Sequence, residues 1–251
     1  MSSSSPALRR ALVWSGFAAL VMLSAPSGAA AQSVDDIVAK NLAAKGGVAA
    51  MKAVKAMRLT ATVRPTPEME IPLTITTARP NKLKQEMSVQ GQTIIMAFDG
   101  QSAWTINPMM GADTPRVIEG PELDSLKMQA DMDGPLVDYK VKGTTVELVG
   151  TETVNEKKTH KLKITRKEGQ SSELYLDVET GLEVKAVNQV SRMGQSMTVE
   201  SYFSNYRAEG DLTMAHTVLQ KLPGGQEVTL TIEKVEVLPQ VDDAVFKMPA
   251  K

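Results

Sequence analysis

The side chains that most often carry chemistry are scarce in this sequence. It has two histidines, His160 and His216, and no cysteine. Neither histidine has a second histidine or a cysteine at ligand spacing, so nothing marks a metal site. Asp131 and Asp133 are two carboxylates close enough in sequence for acid and base work. Such work requires a separation of roughly 5 to 9 Å that sequence does not fix. Beside the end of an expected helix, their plainer role is to solvate that end. Asp99 and Asp177 fall at turns, where a short carboxylate bonds local backbone. No GxSxG elbow, phosphate loop, GxGxxG or HExxH occurs, which closes the usual motif routes to hydrolase, nucleotide and metal chemistry. The expectation is a protein that is not an enzyme and uses no cofactor.

The basic stretch KKTHKLKITRK, residues 157 to 167, reads as the solvated face of a strand, with a docking patch as the alternative. A formal charge of -1 over 251 residues, spread without a tail, leaves no footprint for a phosphate backbone. Nucleic acid is excluded as a partner on that ground. With 42% hydrophobic residues the chain has ample material for a core.

Arg9 and Arg10 precede an apolar run, Ala11 to Ala25, and small residues at Ala29 and Ala31 lead to Gln32. At about 15 residues the run is short of the roughly 20 of a membrane-spanning helix, and the pattern is that of a secretory leader cleaved before Gln32. The expectation is residues 1–31 as signal peptide and 32–251 as one domain, exported, soluble and monomeric. Without cysteine, an exported fold is held by burial and backbone pairing alone.

Thirteen of the fifteen methionines lie beyond the leader, while aromatics make up 4% of the chain. Flexible, polarizable side chains suit a surface that accepts a guest of variable shape, and equally suit irregular core gaps. Both readings stay open.

The elements that would position these residues follow from periodicity. Ser33 caps a helix with Val34, Ile37, Val38 and Leu42 at helical spacing, ended by Gly46 and Gly47, and Val48 to Lys55 reads as a second short helix. From Met57 the period becomes two. Met57, Leu59, Ala61 and Val63 alternate with polar residues, as do Met69, Ile71, Leu73 and Ile75; Leu83, Gln85, Met87 and Val89; and Ile94, Met96 and Phe98. Asn107 to Gly120 reads as a loop. From Pro121 a lid helix carries Leu123, Leu126 and Ala130 in one stripe, with Met128 and Met132 beside it, and stops at Gly134 and Pro135. Further alternating runs follow to Ile232, with turns at Asn155, Gly169, Gly181, Gly194, Gly210 and Gly224. The pattern predicts a mainly β fold: one continuous, curved antiparallel sheet of about eleven strands with a few helices.

This order of elements resembles the LolA/LolB-like outer-membrane lipoprotein-sorting proteins. The likeness is carried by FDGQSAW (98 to 104), ADMDGPLVDY (130 to 139), LYLDVETGLEVK (174 to 185), YFSNYRAEGDLTMAH (202 to 216) and TLTIEKVEVLPQVDDAVFKMP (229 to 249). The resemblance implies a strongly curved antiparallel sheet, an incomplete barrel, whose concave apolar face is covered by helices. It further implies a periplasmic carrier that takes acyl chains of lipoproteins or lipids beneath the lid, moves them toward the outer membrane, and meets partner proteins of the inner and outer membranes. An RseB-like sensor or interaction module on the same fold is the alternative. The family's lid-holding arginine has three candidates here, Arg58, Arg64 and Arg79, and none is singled out.

On this reading the ligand-lining residues are Leu59, Ala61, Ile71, Leu73, Ile75, Leu83, Met87, Ile94, Met96 and Trp104, with Leu123, Leu126 and Met128 beneath the lid. Burying a sixteen-carbon chain at about 0.8 kcal/mol per methylene gives an upper limit on the order of 12 kcal/mol before association costs, enough for reversible carriage.

Overall fold

A computed structural model describes residues 32–192 and 195–249. The expected leader, 1–31, and the expected turn at Gly194 lie outside the described residues.

Two helices open the fold. Helix α1, Val34–Ala44, starts with the capping box anticipated at Ser33: the hydroxyl accepts from the Asp36 amide at 3.1 Å, and the Asp36 carboxylate accepts from the Ser33 amide at 3.2 Å. Ile37 and Val38 are buried, and so is Asn41, whose amide donates to the Gly181 carbonyl at 2.9 Å. Gly46 follows because nothing larger fits: its φ is +110°, and a Cβ there would lie 2.0 Å from the Asp211 carbonyl oxygen. Helix α2, Val48–Ala53, leads directly into the sheet.

The sheet has thirteen described strands: β1 Ala56–Thr66, β2 Met69–Ala78, β3 Lys82–Val89, β4 Gln92–Phe98, β5 Ala103–Asn107, β6 Ala112–Ile118, β7 Thr145–Val154, β8 Lys157–Thr165, β9 Ser171–Asp177, β10 Glu183–Arg192, β11 Gln195–Glu209, β12 Leu212–Lys221 and β13 Glu227–Leu238. Their order is β6-β5-β4-β3-β2-β1-β13-β12-β11-β10-β9-β8-β7, and every pairing is antiparallel. Two meanders therefore meet where β1 pairs with β13, and the sheet is curved and open, with β6 and β7 as its edges. The expected loop over 107–120 is corrected: it contains β6, an edge strand. Its sequence ADTPRVI lacks apolar alternation and includes Pro115, which an edge tolerates because one side of the strand needs no ladder donor.

Between the two edges the chain crosses by helix α3, Gly120–Ala130, and an irregular strap over 131–144. Helix α3 packs Leu126 and Ala130 on Leu83, Phe98, Ala103 and Ile118. Helix α1 and the strap residue Leu136 pack on Val146, Leu162, Ile164, Leu174, Leu176 and Ala186. These contacts define the inner face.

The other face has its own cover. Phe246, fully buried after a 3-10 turn at Asp243–Val245, packs on Ala56 and Ala78, and its carbonyl accepts from the Trp104 indole at 2.8 Å. The basic stretch 157–167 lies largely on β8, where Lys161 sits 3.2 Å from Glu152 and 3.1 Å from Glu173. Lys161, Lys185 and Lys221 alternate with Tyr175 and Tyr202, ammonium to ring at 5.2–5.5 Å.

Candidate functional site

Cross-strand partners share a face, and the pairings assemble the inner face residue by residue. Leu59 faces Ile75, Ala61 faces Leu73, Val63 faces Ile71, Leu73 faces Met87, and Met87 faces Ile94. Gln85 opposes Met96 and Leu83 opposes Phe98 in the same set. Leu59, Ala61, Ile71, Leu73, Ile75, Leu83, Met87, Ile94 and Met96 thus form one continuous apolar surface. Ala61, Leu73 and Ile232 pack at its middle with Leu59, Val63, Met87, Leu230 and Val235, all contributed by strands and none by a helix. Ile94 and Met96 are half-buried. The result is a continuous apolar inner face of the curved sheet, termed the trough, between the part under α3 and the part under α1.

Trp104 does not belong to it. It opposes Ala97, whose neighbour Lys84 lies on the outer side, and it is buried under the Phe246 segment. Its expected place in the trough is corrected: the inner positions on β5 include Ala103 and Thr105, opposite Phe98 and Met96. Leu123 and Leu126 pack against the sheet as a lid stripe should, whereas Met128 lines a charged cleft beside α3.

Methionine finds a definite place. A cavity of about 140 Å³ is lined by Lys45, Met51, Val54, Met57, Met132, Leu212, Thr213 and Met214. Four thioether side chains from α2, β1, the strap and β12 converge on it. Met57 continues the alternation of Leu59 and Ala61, so its facing was readable. Met51, Met132 and Met214 come together only through tertiary structure.

The strap above this cavity is clasped by charge. Arg79, at the end of β2, gives two hydrogen bonds to Asp133, at 2.9 and 2.5 Å, one to the Val54 carbonyl at 2.8 Å and one to the Met51 carbonyl at 3.0 Å. One guanidinium therefore binds the end of α2 and the strap together. The hydrogen bonds from Arg79 hold the Asp133 carboxyl below its ordinary range, and Asp133 raises Arg79 in return. Lys142 reaches Asp131 at 2.8 Å and the Gly134 carbonyl at 2.8 Å, and Lys52 pairs with Asp138. All three strap carboxylates, Asp131, Asp133 and Asp138, are thus spent on ion pairs. The other two candidate arginines lie elsewhere: Arg58 is exposed opposite Glu236, and Arg64 is 2.6 Å from Glu70.

The histidines are separate. His216 is 1% exposed, with Nδ1 3.0 Å from the Ile232 carbonyl and Nε2 3.0 Å from a Glu209 oxygen. His160 is half-buried beside Gln32, and burial lowers its pKa. No cluster of three or more His, Cys, Asp or Glu suited to a metal exists among the described residues.

No protein-family model and no curated protein matches the chain in sequence. Solved structures do match in shape. A LolA superfamily protein from Nitrosomonas europaea superposes with a TM-score of 0.60 at 12% identity, covering 86% of this chain and 98% of its own. A DUF1329 family protein from Desulfovibrio piger gives 0.58 at 12% identity, with the same coverages. A domain named for outer membrane lipoprotein sorting, from Vibrio parahaemolyticus, gives 0.54 at 14% identity, over 84% of this chain and 94% of its own. At such identities likeness speaks for architecture, and the architecture is plain: this chain is built on the fold of the LolA superfamily and of outer-membrane lipoprotein-sorting domains.

Proposed function

We propose that the protein is a non-enzymatic periplasmic carrier that holds acyl chains of a lipoprotein or lipid in the apolar trough, with the methionine cavity as the end of the path. The observation that carries this reading is the cavity itself, roofed by a strap that one arginine clasps. Its 140 Å³ is close to the roughly 150 Å³ that admits a six-carbon apolar guest in other proteins, so it accepts the tip of a chain whose remainder lies along the trough. Thioethers adapt to chains of different length and saturation. Opening requires exchanging Arg79–Asp133 for water rather than breaking a covalent bond, which suits reversible loading.

Export by the leader and cleavage before Gln32 place this carrier in the periplasm in the proposal. Docking to membrane partner proteins would supply and receive the cargo. The test is extraction of lipid from protein purified without detergent, followed by binding of a fluorescent fatty acid. Co-purified acyl lipid is expected, with Leu73→Asp and Met96→Asp each abolishing probe binding while circular dichroism stays unchanged. Protein that comes out empty and takes up no probe would end the carrier reading.

A further inference from the structure

Beside the lid lies a second, larger concavity, of about 640 Å³, that the acyl path does not use. Its walls are the end of α3 and the strap, the β2–β3 turn at Arg79, Pro80 and Asn81, and the β8–β9 hairpin. Three of its carboxylates already face cations: Asp133 on Arg79 at 2.5 Å, Asp131 on Lys142 at 2.8 Å, and Asp124 on Lys127 at 3.5 Å. On the hairpin, Arg166 and Lys167 also line the cleft, and neither has an ion-pair partner among the described residues. Glu168 alone offsets these two free cations.

The surroundings supply further donors. Thr144 lines the cleft, is 6% exposed, and its hydroxyl makes no hydrogen bond among the described residues. Gln170 carries a buried side-chain oxygen without a partner; turned over, the amide presents an NH₂ at the same place. The stem of Lys167 rests over Gly143, at the distance of van der Waals contact for a Cβ there (3.5 Å), which seats Lys167 against the strap. The turn that holds both cations is closed by Arg166 N–H to the Gln170 carbonyl and Gly169 N–H to the Arg166 carbonyl, each 2.9 Å.

We propose that this cleft binds a phosphate group, carried by a lipid headgroup or free in solution. A guanidinium fork, an ammonium, a hydroxyl and an amide exceed what the two oxygens of a carboxylate use, and match a tetrahedral anion with three or four acceptor oxygens. In the headgroup case the proposal rests on the carrier reading, since the chains of the same molecule would lie under the adjacent lid.

The test follows two sets of NMR signals in the protein purified from cells, the Gln170 side-chain amide for the cleft and the Met51, Met57, Met132 and Met214 methyls for the acyl path. The probes are inorganic phosphate, dihexanoyl phosphatidylglycerol and neutral dihexanoylglycerol. Phosphate and the phospholipid are expected to move Gln170, and the double variant Arg166→Gln, Lys167→Gln to weaken both about tenfold or more while dihexanoylglycerol binds as before. Tighter binding of the phospholipid than of phosphate identifies the headgroup as the source, and equal binding identifies the free anion. A silent Gln170 with both phosphate-bearing probes, or an unaltered affinity in the double variant, overturns the proposal. Failure of the carrier reading shows separately, as methionine methyls that no lipid moves while the inorganic phosphate arm still reports on the cleft.

Discussion

Arg79 is the residue that fastens the strap. Its four hydrogen bonds join α2 to the strap, and Arg79→Ala deprives Asp133, 17% exposed at its side chain, of its hydrogen-bonded counter-charge. A loss on the order of 2–4 kcal/mol is expected in urea unfolding, together with faster hydrogen exchange over 131–144. Arg79→Lys keeps the charge without the planar fork and should fall between. The pH dependence follows from Asp133, whose folded pKa is lowered, first by the Arg79 hydrogen bonds. A depressed carboxylate contributes stability that is full above its unfolded value, about 3.9, and is lost as pH falls through the folded value. Protection factors of the strap amides should therefore be flat from pH 7 to 5 and fall in stronger acid, a fall that Asp133→Asn abolishes. The arginine was not separable from Arg58 and Arg64 by sequence, because its partners Met51, Val54 and Asp133 are tied to it by tertiary structure alone. Local pattern does not carry such contacts.

At the scale of elements, the strands were legible wherever one face is buried and the other wet, as in Leu59, Ala61 and Val63 on β1, because a period of two is a direct consequence of the pleat. Strand β6 was not, because an edge strand with Pro115 has neither the apolar alternation nor the full ladder of its neighbours. The facing of β5 was misjudged for a different reason. Phe98 and Ala103 face inward across the Asp99–Ser102 turn, yet the large apolar residue of that strand is Trp104, covered from outside by Phe246 of a segment 142 positions away. Two substitutions separate the faces. Trp104→Phe, which removes the indole donor, should cost about 1 kcal/mol in stability and leave acyl binding unchanged. Phe246→Ala should cost about 3–5 kcal/mol by emptying a fully buried site, measured by the shift of the unfolding midpoint.

For the whole molecule, the seam between β1 and β13 joins the two meanders, and its register pairs Thr60 with Lys234 across most of the chain. The meander order was readable from turn spacing, whereas this long-range closure was not, since no local signal chooses the partner of β1. Ile232, which packs with Ala61 and Leu73 at the seam, is the place to weaken it. Ile232→Ala should lower stability by about 2–5 kcal/mol, and if the seam closes late in folding the change appears as faster unfolding in stopped-flow traces of Trp104 fluorescence. Coincident loss of Trp104 and tyrosine signals would show that the meanders unfold as one; separate midpoints would show two cooperative units.

The segment that runs from β6 to β7 is moored at both borders of an open sheet, which makes it a tether and not a free flap. It can bow outward, but it cannot swing clear. Val141, 89% exposed, and Lys140 sit on its outer bend, so a single tryptic nick after Lys140 would cut the mooring while sparing every strand. The nicked protein should keep its β-sheet spectrum and, on the proposed carrier function, exchange its guest faster than the intact chain, which makes limited proteolysis a way to measure how much of the retention time is mechanical.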